Sequence, residues 1–357
     1  MKPELAFVFY SSNHHDQLKS AIEAIYREID RAWLIGCTTE AVIAESQEIE
    51  SGPGFAVWVS HLGGAPVEAF TVDLQETPDG HALVGFPLLG AESTGVILLA
   101  DPLTFPTQAL LSALNTGNPQ LPIIGGMASG GFGETGHTLV FNDSIKSSGA
   151  VGIVVGSPIS LKPVVSQGCK PIGDPFVVTA AEHNVILEMG GKPPLVRLRE
   201  IAMKLPPDDQ ALMQGVPPML GVVIDEYTES PAHGDFLVRN VAQVNLETGA
   251  MAVGEVIEVG KTVQFHLRDA GAADDELSSL LSANDSVHPE AALMFVCNGR
   301  GTGLFGSPNH DIIAVESILG DIPAAGMFCA GEVGPVGGRT FIHGYTASIA
   351  LFTDQRD

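Results

Sequence analysis

The sequence predicts an α/β protein in which repeated strand–helix–strand units form layered mixed sheets, with antiparallel strands added between the units. Two observations support this prediction. The same succession of a short apolar strand, a polar loop, an amphipathic helix and a second, glycine-marked strand occurs three times. The strands are also continuous apolar runs, as expected for strands that are buried on both faces.

The three copies follow one another along the chain with the same order of elements. Their strand, helix and strand occupy residues 5–11, 17–31 and 33–40; 95–101, 106–114 and 121–130; and 293–298, 310–319 and 322–332. In the first helix, Leu18, Ile22 and Ile29 form an apolar stripe at helical spacing. Pro106 suits the start of the second helix, where no amide donor is needed. Because such units usually lie parallel, their strand ends should gather at one edge.

Shorter elements are predicted between and after the copies. The predicted strands are at 54–62, 137–142, 150–155, 175–179, 185–189, 220–224, 235–244, 252–258, 262–268 and 341–351, and the helices are at 193–205 and 274–281. Prolines cluster at 206–218, which we interpret as a linker. The predicted domains are therefore 1–205, with two copies, and 219–357, with the third.

Composition limits the classes of function. The 357 residues include 17 basic and 42 acidic side chains, a formal net charge of −25. This charge repels nucleic-acid phosphates and anionic membrane surfaces, so we expect neither partner. No apolar run has the length of a membrane span, and no secretory signal precedes the first strand. The four cysteines form no CxxC pair. We therefore expect a cytoplasmic protein without a metal site.

The loops that follow the strands of all three copies contain the candidate ligand-binding residues. These are Gly36, Thr38, Asp101, Gly125, Gly126, Asn298, Gly299, Arg300, Gly301, Gly331, Glu332 and Arg339. Successive glycine amides can form an anion-binding nest, and an arginine fork can hold a carboxylate. We expect the loops to meet around a hollow that holds a small zwitterion, with its ammonium group on Glu332 or Asp101. A buried ion pair, such as Arg300 with Glu332, is the alternative.

Two kinds of chemistry remain less favoured. Gly301, Gly303 and Gly306 have the spacing of a dinucleotide fingerprint, but residues 307–309 delay the helix beyond them, so no cofactor is predicted. Cys297 ends a strand beside the glycine loop, with His310 and His343 in the same copy. This arrangement leaves open a Cys297-dependent enzyme acting on a small acyl or amide substrate.

Motifs in both halves of the chain resemble a known family. Residues 297–301 (Cys-Asn-Gly-Arg-Gly), 304–306, 322–326, 331–335 (Gly-Glu-Val-Gly-Pro) and 343–345 are similar to the FIST C-terminal domain, and residues 35–39, 122–126 and 182–184 are similar to the FIST N-terminal domain. The resemblance implies an intracellular sensory module that binds a small ligand, such as an amino acid. It also implies a possible protein partner for signal output, and a protein-interaction module is the remaining alternative.

Overall fold

The computed structural model describes residues 2–78, 80–131, 136–228, 231 and 234–356. The chain divides into two compact units. The first unit combines Met1–Ser166 with Leu277–Asp357, and the second unit is Gln167–Glu276. The second unit is thus inserted into the sequence of the first.

The elements of the described residues follow in chain order. The strands that precede the second unit are β1 (Leu5–Ser11), β2 (Trp33–Thr39), β3 (Val42–Ala44), β4 (Gln47–Ile49), β5 (Phe55–Ser60), β6 (Val67–Thr77), β7 (Gly80–Val84), β8 (Ser93–Ala100), β9 (Ile123–Met127), β10 (Leu139–Phe141), β11 (Ser144–Lys146), β12 (Ala150–Gly156) and β13 (Ile159–Ser166). The second unit contributes β14 (Cys169–Glu182), β15 (Val185–Met189), β16 (Met219–Val223), β17 (Phe236–Arg239), β18 (Val241–Val244), β19 (Met251–Val253) and β20 (Thr262–Arg268). The remaining strands are β21 (Ala291–Cys297), β22 (Ala324–Cys329), β23 (Glu332–Val336), β24 (Arg339–His343) and β25 (Ala347–Asp354). The α-helices are α1 (His15–Glu28), α2 (Thr107–Gly117), α3 (Pro194–Ala202), α4 (Pro207–Gly215), α5 (Ala270–Asn284), α6 (Thr302–Phe305) and α7 (His310–Leu319).

Three sheets build the first unit, and each contains one parallel pair of strands. The sheet orders are β11-β10-β2-β1-β5, β24-β23-β9-β8-β12-β6-β7 and β13-β25-β21-β22-β3-β4. The parallel pairs are β1 with β2, β8 with β9, and β21 with β22. Helices α1, α2 and α7 lie in the connections between the paired strands. The strands that flank these pairs are antiparallel, so all three sheets are mixed.

The core of the first unit lies between the three sheets. Side chains from all of them join one hydrophobic cluster, which includes Phe7, Phe9, Ile97, Leu99, Leu293 and Phe295. The alternate side chains of β1, Ala6 and Val8, pack instead with Leu18 and Ile22 of α1. Successive side chains of a strand point to opposite faces. Burial of both faces explains why the strands are continuous apolar runs.

The marked glycines of the three copies occupy equivalent positions. Gly36 lies opposite Val8, Gly125 opposite Leu98 and Gly326 opposite Met294, each within its parallel pair. A Cβ at any of the three would overlap the main-chain carbonyl oxygen of the residue opposite. Only glycine allows the strands this close approach, so these three glycines are explained by packing.

The second unit has one antiparallel sheet, in the order β17-β16-β20-β14-β15-β19-β18. Its core includes Ile172, Val178, Ile186, Leu220 and Phe265. The predicted linker contains helix α4, whose Leu212 and Met213 pack against this core. The proline cluster marks the beginning of a helix there, because proline fits the first helical turn. No helix in the described residues has both the length and the apolarity to cross a bilayer.

Candidate functional site

The carboxyl ends of β2, β9 and β22 are joined by hydrogen bonds between their main chains. Met127 N donates to Gly331 O at 2.8 Å, and Ala330 N donates to Met127 O at 3.1 Å. Ser129 N donates to Thr38 O at 3.1 Å. We call residues 38–40, 127–130 and 328–332 the strand-end junction. The glycine-bearing loops of the three copies therefore meet, as the positions of the parallel strands predict.

Two buried hydroxyls connect the three segments of the strand-end junction. Ser129 Oγ donates to Phe328 O at 2.5 Å and accepts from Glu40 N at 2.9 Å. Thr39 Oγ1 donates to the same Phe328 oxygen at 2.7 Å. A Cβ on Gly126 would overlap the sulfur of Cys329. The side chains of Thr39, Ser129 and Cys329 are all buried within the junction.

The guanidinium of Arg300 is held by a carboxylate inside the protein. Arg300 follows β21 and is 1% exposed. Its Nε donates to Asp311 Oδ2 at 2.7 Å and its Nη2 donates to Asp311 Oδ1 at 2.8 Å. Burial acts to raise the pKa of Asp311, but the charge and hydrogen bonds of Arg300 outweigh it and lower that pKa to about 2. The pair fixes the 297–301 loop to the first turn of α7.

An aromatic stack covers this ion pair. The guanidinium carbon of Arg300 lies 5.2 Å from the ring centroid of Phe305. The rings of Phe305 and His310 are parallel, with centroids 3.4 Å apart. His310 Nδ1 lies 3.0 Å from Asp311 Oδ1. These contacts of His310 orient its ring toward Asp311 and Phe305.

Glu332 is the fully buried acid of the junction. Its Oε2 accepts from Thr346 N at 3.1 Å. Burial raises the pKa of Glu332 well above its ordinary value, although Thr346, the charge of Arg300 and a hydrogen bond with the Cys297 thiol act in the opposite direction. Full burial keeps the Glu332 carboxyl away from the surface of the junction.

Cys297 contacts Glu332 through its thiol, and the residue as a whole is partly exposed. Cys297 has intermediate exposure, whereas its neighbour in register on β22, Cys329, is buried. Gly299 N donates to the Cys297 sulfur at 3.4 Å. Asn298 between them is exposed, and its main-chain N–H donates to Cys329 O at 3.0 Å. Residues 297–299 thus present a thiol and a carboxamide at the surface of the junction.

The remaining sequence-predicted residues lie apart from this surface or are used locally. Asp101 Oδ1 accepts from Leu103 N at 2.7 Å and from Thr104 N at 2.8 Å, and its carboxylate closes the turn after β8. Arg339 is exposed and lies at the end of the β23–β24 hairpin away from Glu332.

His343 is buried beside Glu332 on the neighbouring strand β24. Its Nε2 lies 2.9 Å from Gly334 O. This contact ties the imidazole to the strand that begins with Glu332.

Two glutamates that the sequence did not single out anchor the region around Arg300. Glu48 Oε1 accepts from Asp311 N at 3.0 Å and from Ile312 N at 3.1 Å, and so caps α7. Burial and the nearby charge of Asp311 raise the pKa of Glu48 to about 7. The Glu50 carboxylate accepts from Thr302 N at 2.9 and 3.0 Å and from the Thr302 hydroxyl at 2.8 Å. These capping residues are more than 250 positions away from their helices in the sequence, so no local sequence pattern predicts them.

The described residues contain no cluster of three or more histidine, cysteine, aspartate or glutamate side chains arranged to hold a metal ion.

Comparisons with known proteins cover almost the whole chain. A family model described as the FIST N domain matches residues 4–192, and one described as the FIST C domain matches residues 196–335. The uncharacterized protein Rv0628c of Mycobacterium tuberculosis is 42% identical over 357 residues, which covers 99% of this chain and 92% of that protein. The uncharacterized protein Mb0898c of Mycobacterium bovis is 40% identical over 360 residues, with the same two coverages.

Proposed function

The chain belongs to the FIST family, whose domains are associated with sensory signal transduction and small-ligand binding, and from this premise we propose that it is a cytoplasmic sensor of an amino-acid-like ligand. The observation that supports the proposal is the strand-end junction. It joins the three sheets of the first unit through buried polar contacts, so a ligand bound there would touch the point on which their arrangement depends. All four cysteines are free thiols, as a reducing compartment requires.

The proposed ligand contacts follow from which polar groups remain exposed. Arg300 is paired with Asp311 and Glu332 is fully buried, so neither side chain presents a charged group at the surface of the junction. Glu40 and Asn298 are exposed at the junction. We propose that the Glu40 carboxylate receives the ligand ammonium group and that the Asn298 carboxamide binds the ligand carboxylate. Arg300 then acts as a positioning residue for the 297–301 loop.

The proposal can be tested by isothermal titration calorimetry and thermal shift with the twenty amino acids. Each amino acid that binds is compared with its deaminated acid and its carboxamide. We expect Glu40→Gln and Asn298→Ala to weaken binding at least tenfold, because each loses a charged or charge-assisted contact. Glu45→Gln is the matched control, since Glu45 is exposed five positions further along the chain. Absence of heat and of any thermal shift across the panel, or full binding by both variants, would refute the proposal.

A second candidate is a Cys297-dependent enzyme, favoured by the partial exposure of this thiol beside Glu332. A nucleophilic role requires a thiolate near neutral pH. The rate of alkylation by iodoacetamide as a function of pH decides this point, with Cys297→Ser as the background. Rapid alkylation of Cys297 below pH 7 would favour an enzyme. A rate that rises only near the ordinary thiol pKa would leave the sensory function as the better explanation.

A further inference from the structure

A groove crosses the edge of the first unit where β8 and β9 begin, at the opposite end of these strands from the junction. The main cavity has a volume of about 480 Å³. It is lined by Thr94, residues 119–122 before β9, residues 160–163 of β13, and parts of the β23–β24 hairpin. A second cavity of about 300 Å³ shares Thr94 and residues 119–122 and extends along Gly90 and Ser93. We call the two together the basal groove.

Rigid apolar groups form the walls of the basal groove. Four prolines, Pro119, Pro122, Pro163 and Pro335, line the main cavity together with Leu121 and Leu161. Proline fixes its own backbone angle, so these walls are largely formed before a ligand arrives. Little ordering cost then opposes binding. The volume and the mostly apolar lining are those of small-molecule sites.

The polar groups that line the basal groove favour a negatively charged ligand. The Thr94 hydroxyl contacts Val155 O at 3.0 Å and Ile159 O at 2.6 Å, and the Ser160 hydroxyl pairs with that of Thr353 at 2.7 Å. These hydroxyls are already engaged within the protein. The charged residue among the lining side chains is Lys162.

Lys162 is half-buried and forms no ion pair with the residues that the structure describes. The chain contains 42 acidic residues, yet none of those within the described ranges lines either cavity. A single ammonium group in a rigid apolar groove complements a single negative charge on an apolar body.

We propose that the basal groove binds a small amphipathic carboxylic acid, with its carboxylate on Lys162 and its hydrocarbon part between the prolines. This site is separate from the strand-end junction and does not depend on the proposed amino-acid ligand. The single cation favours a monocarboxylate over phosphate-rich or multiply charged molecules.

Octanoate and its uncharged analogue octanamide are suitable probes for the full chain, measured by isothermal titration calorimetry. We expect octanoate to bind at least tenfold more tightly than octanamide. Each methylene added between butanoate and octanoate should tighten binding about fourfold, as the burial of a methylene group implies. Equal affinity for octanoate and octanamide, or no binding of octanoate, would overturn the proposal.

Variants locate the site without disturbing the fold. Lys162→Met keeps the aliphatic stem and should reduce octanoate affinity to that of octanamide, whereas Lys162→Arg should retain it. Lys19→Met, at an exposed position of α1, is the matched control and should bind as the unaltered chain does. Gln120→Trp places a large ring at an exposed lining position and should abolish binding with an unchanged melting temperature.

Two results separate this groove from the junction. Asn298→Ala should leave octanoate binding unchanged, and Lys162→Met should leave amino-acid binding unchanged. Persistence of octanoate binding in both Lys162→Met and Gln120→Trp would place the fatty acid elsewhere and refute the assignment.

Discussion

Replacing Arg300 by methionine tests whether its guanidinium stabilises the fold or binds a ligand. Arg300 and Asp311 are 1% and 0% exposed and share two hydrogen bonds of 2.7 and 2.8 Å. Removal of one partner from a buried ion pair leaves an uncompensated charge, at a cost of about 3–5 kcal/mol. We expect Arg300→Met to lower the free energy of unfolding by about this amount without any ligand present. Urea denaturation followed by circular dichroism measures it.

The pH dependence of the same pair provides an internal check. The pKa of Asp311 is about 2, below its ordinary value of 3.8, so this carboxylate stabilises the fold above pH 3.8. The contribution, about 2 kcal/mol at 1.36 kcal/mol per pKa unit, is lost as the pH falls through 2. The difference in unfolding free energy between the unaltered chain and Arg300→Met should therefore disappear as Asp311 becomes protonated in acid.

Two further variants complete the experiment. The double variant Arg300→Met with Asp311→Leu should recover most of the lost stability, because an apolar pair can replace a buried ion pair. Arg339→Met, at an exposed arginine, should change stability by less than about 0.5 kcal/mol. If Arg300→Met costs less than about 1 kcal/mol, the guanidinium is not an anchor and the assigned positioning role is wrong.

Three further perturbations test the packing around the junction. Burial raises the pKa of Glu48 from 4.5 to about 7, so about 3 kcal/mol of folding stability should be lost as the pH rises from 4.5 through 7. In urea denaturation, the stability of Glu48→Gln should depend less on pH over this range. Parallel pH profiles of the variant and the unaltered chain would contradict the burial of a titrating carboxyl. Gly126→Ala should lower the free energy of unfolding by about 1–3 kcal/mol, because the added Cβ overlaps the Cys329 sulfur. Adding Cys329→Ala should recover part of this loss. Strictly additive changes in melting temperature would show that the two side chains do not collide. Ser129→Ala should cost about 1–3 kcal/mol, because Glu40 N loses its acceptor and the Phe328 carbonyl keeps only the Thr39 hydroxyl as a side-chain donor. A change below about 0.5 kcal/mol in thermal denaturation would show that the hydroxyl is dispensable.

The mixed sheets and their helices follow from local patterns in the sequence. Apolar runs predict β1, β8 and β21, and helical spacing predicts α1, because a buried face requires apolar residues at regular intervals along the chain. Composition does not distinguish a proline-rich linker from the start of a helix, and α4 occupies the predicted linker for this reason. The insertion of the second unit has no local signal either, since it depends on which strands pair across long separations.

The candidate site was harder to predict because its partners are distant in the chain. The sequence predicts that Arg300 binds a carboxylate, but nothing in the sequence distinguishes Glu332 from Asp311 as its partner. The structure selects Asp311, since α7 brings it against the loop. The sequence predicts that another group lies close to the backbone at Gly36 and Gly125. In the structure, this group is the main chain of the neighbouring strand. Ser129 had no motif around it, and its role depends on three segments meeting.

A sensor needs a physical connection between its ligand and the element that responds, and β9 supplies one within the first unit. Pro122 lines the basal groove immediately before β9, and Met127 at the other end of this strand is hydrogen-bonded to Gly331 in the strand-end junction. Five residues of extended chain separate these ends by about 16 Å. Because β9 pairs with β8 on one side and β23 on the other, it cannot bend freely. Strand β9 thus connects Pro122 at the groove to Met127 at the junction through backbone that is held on both sides.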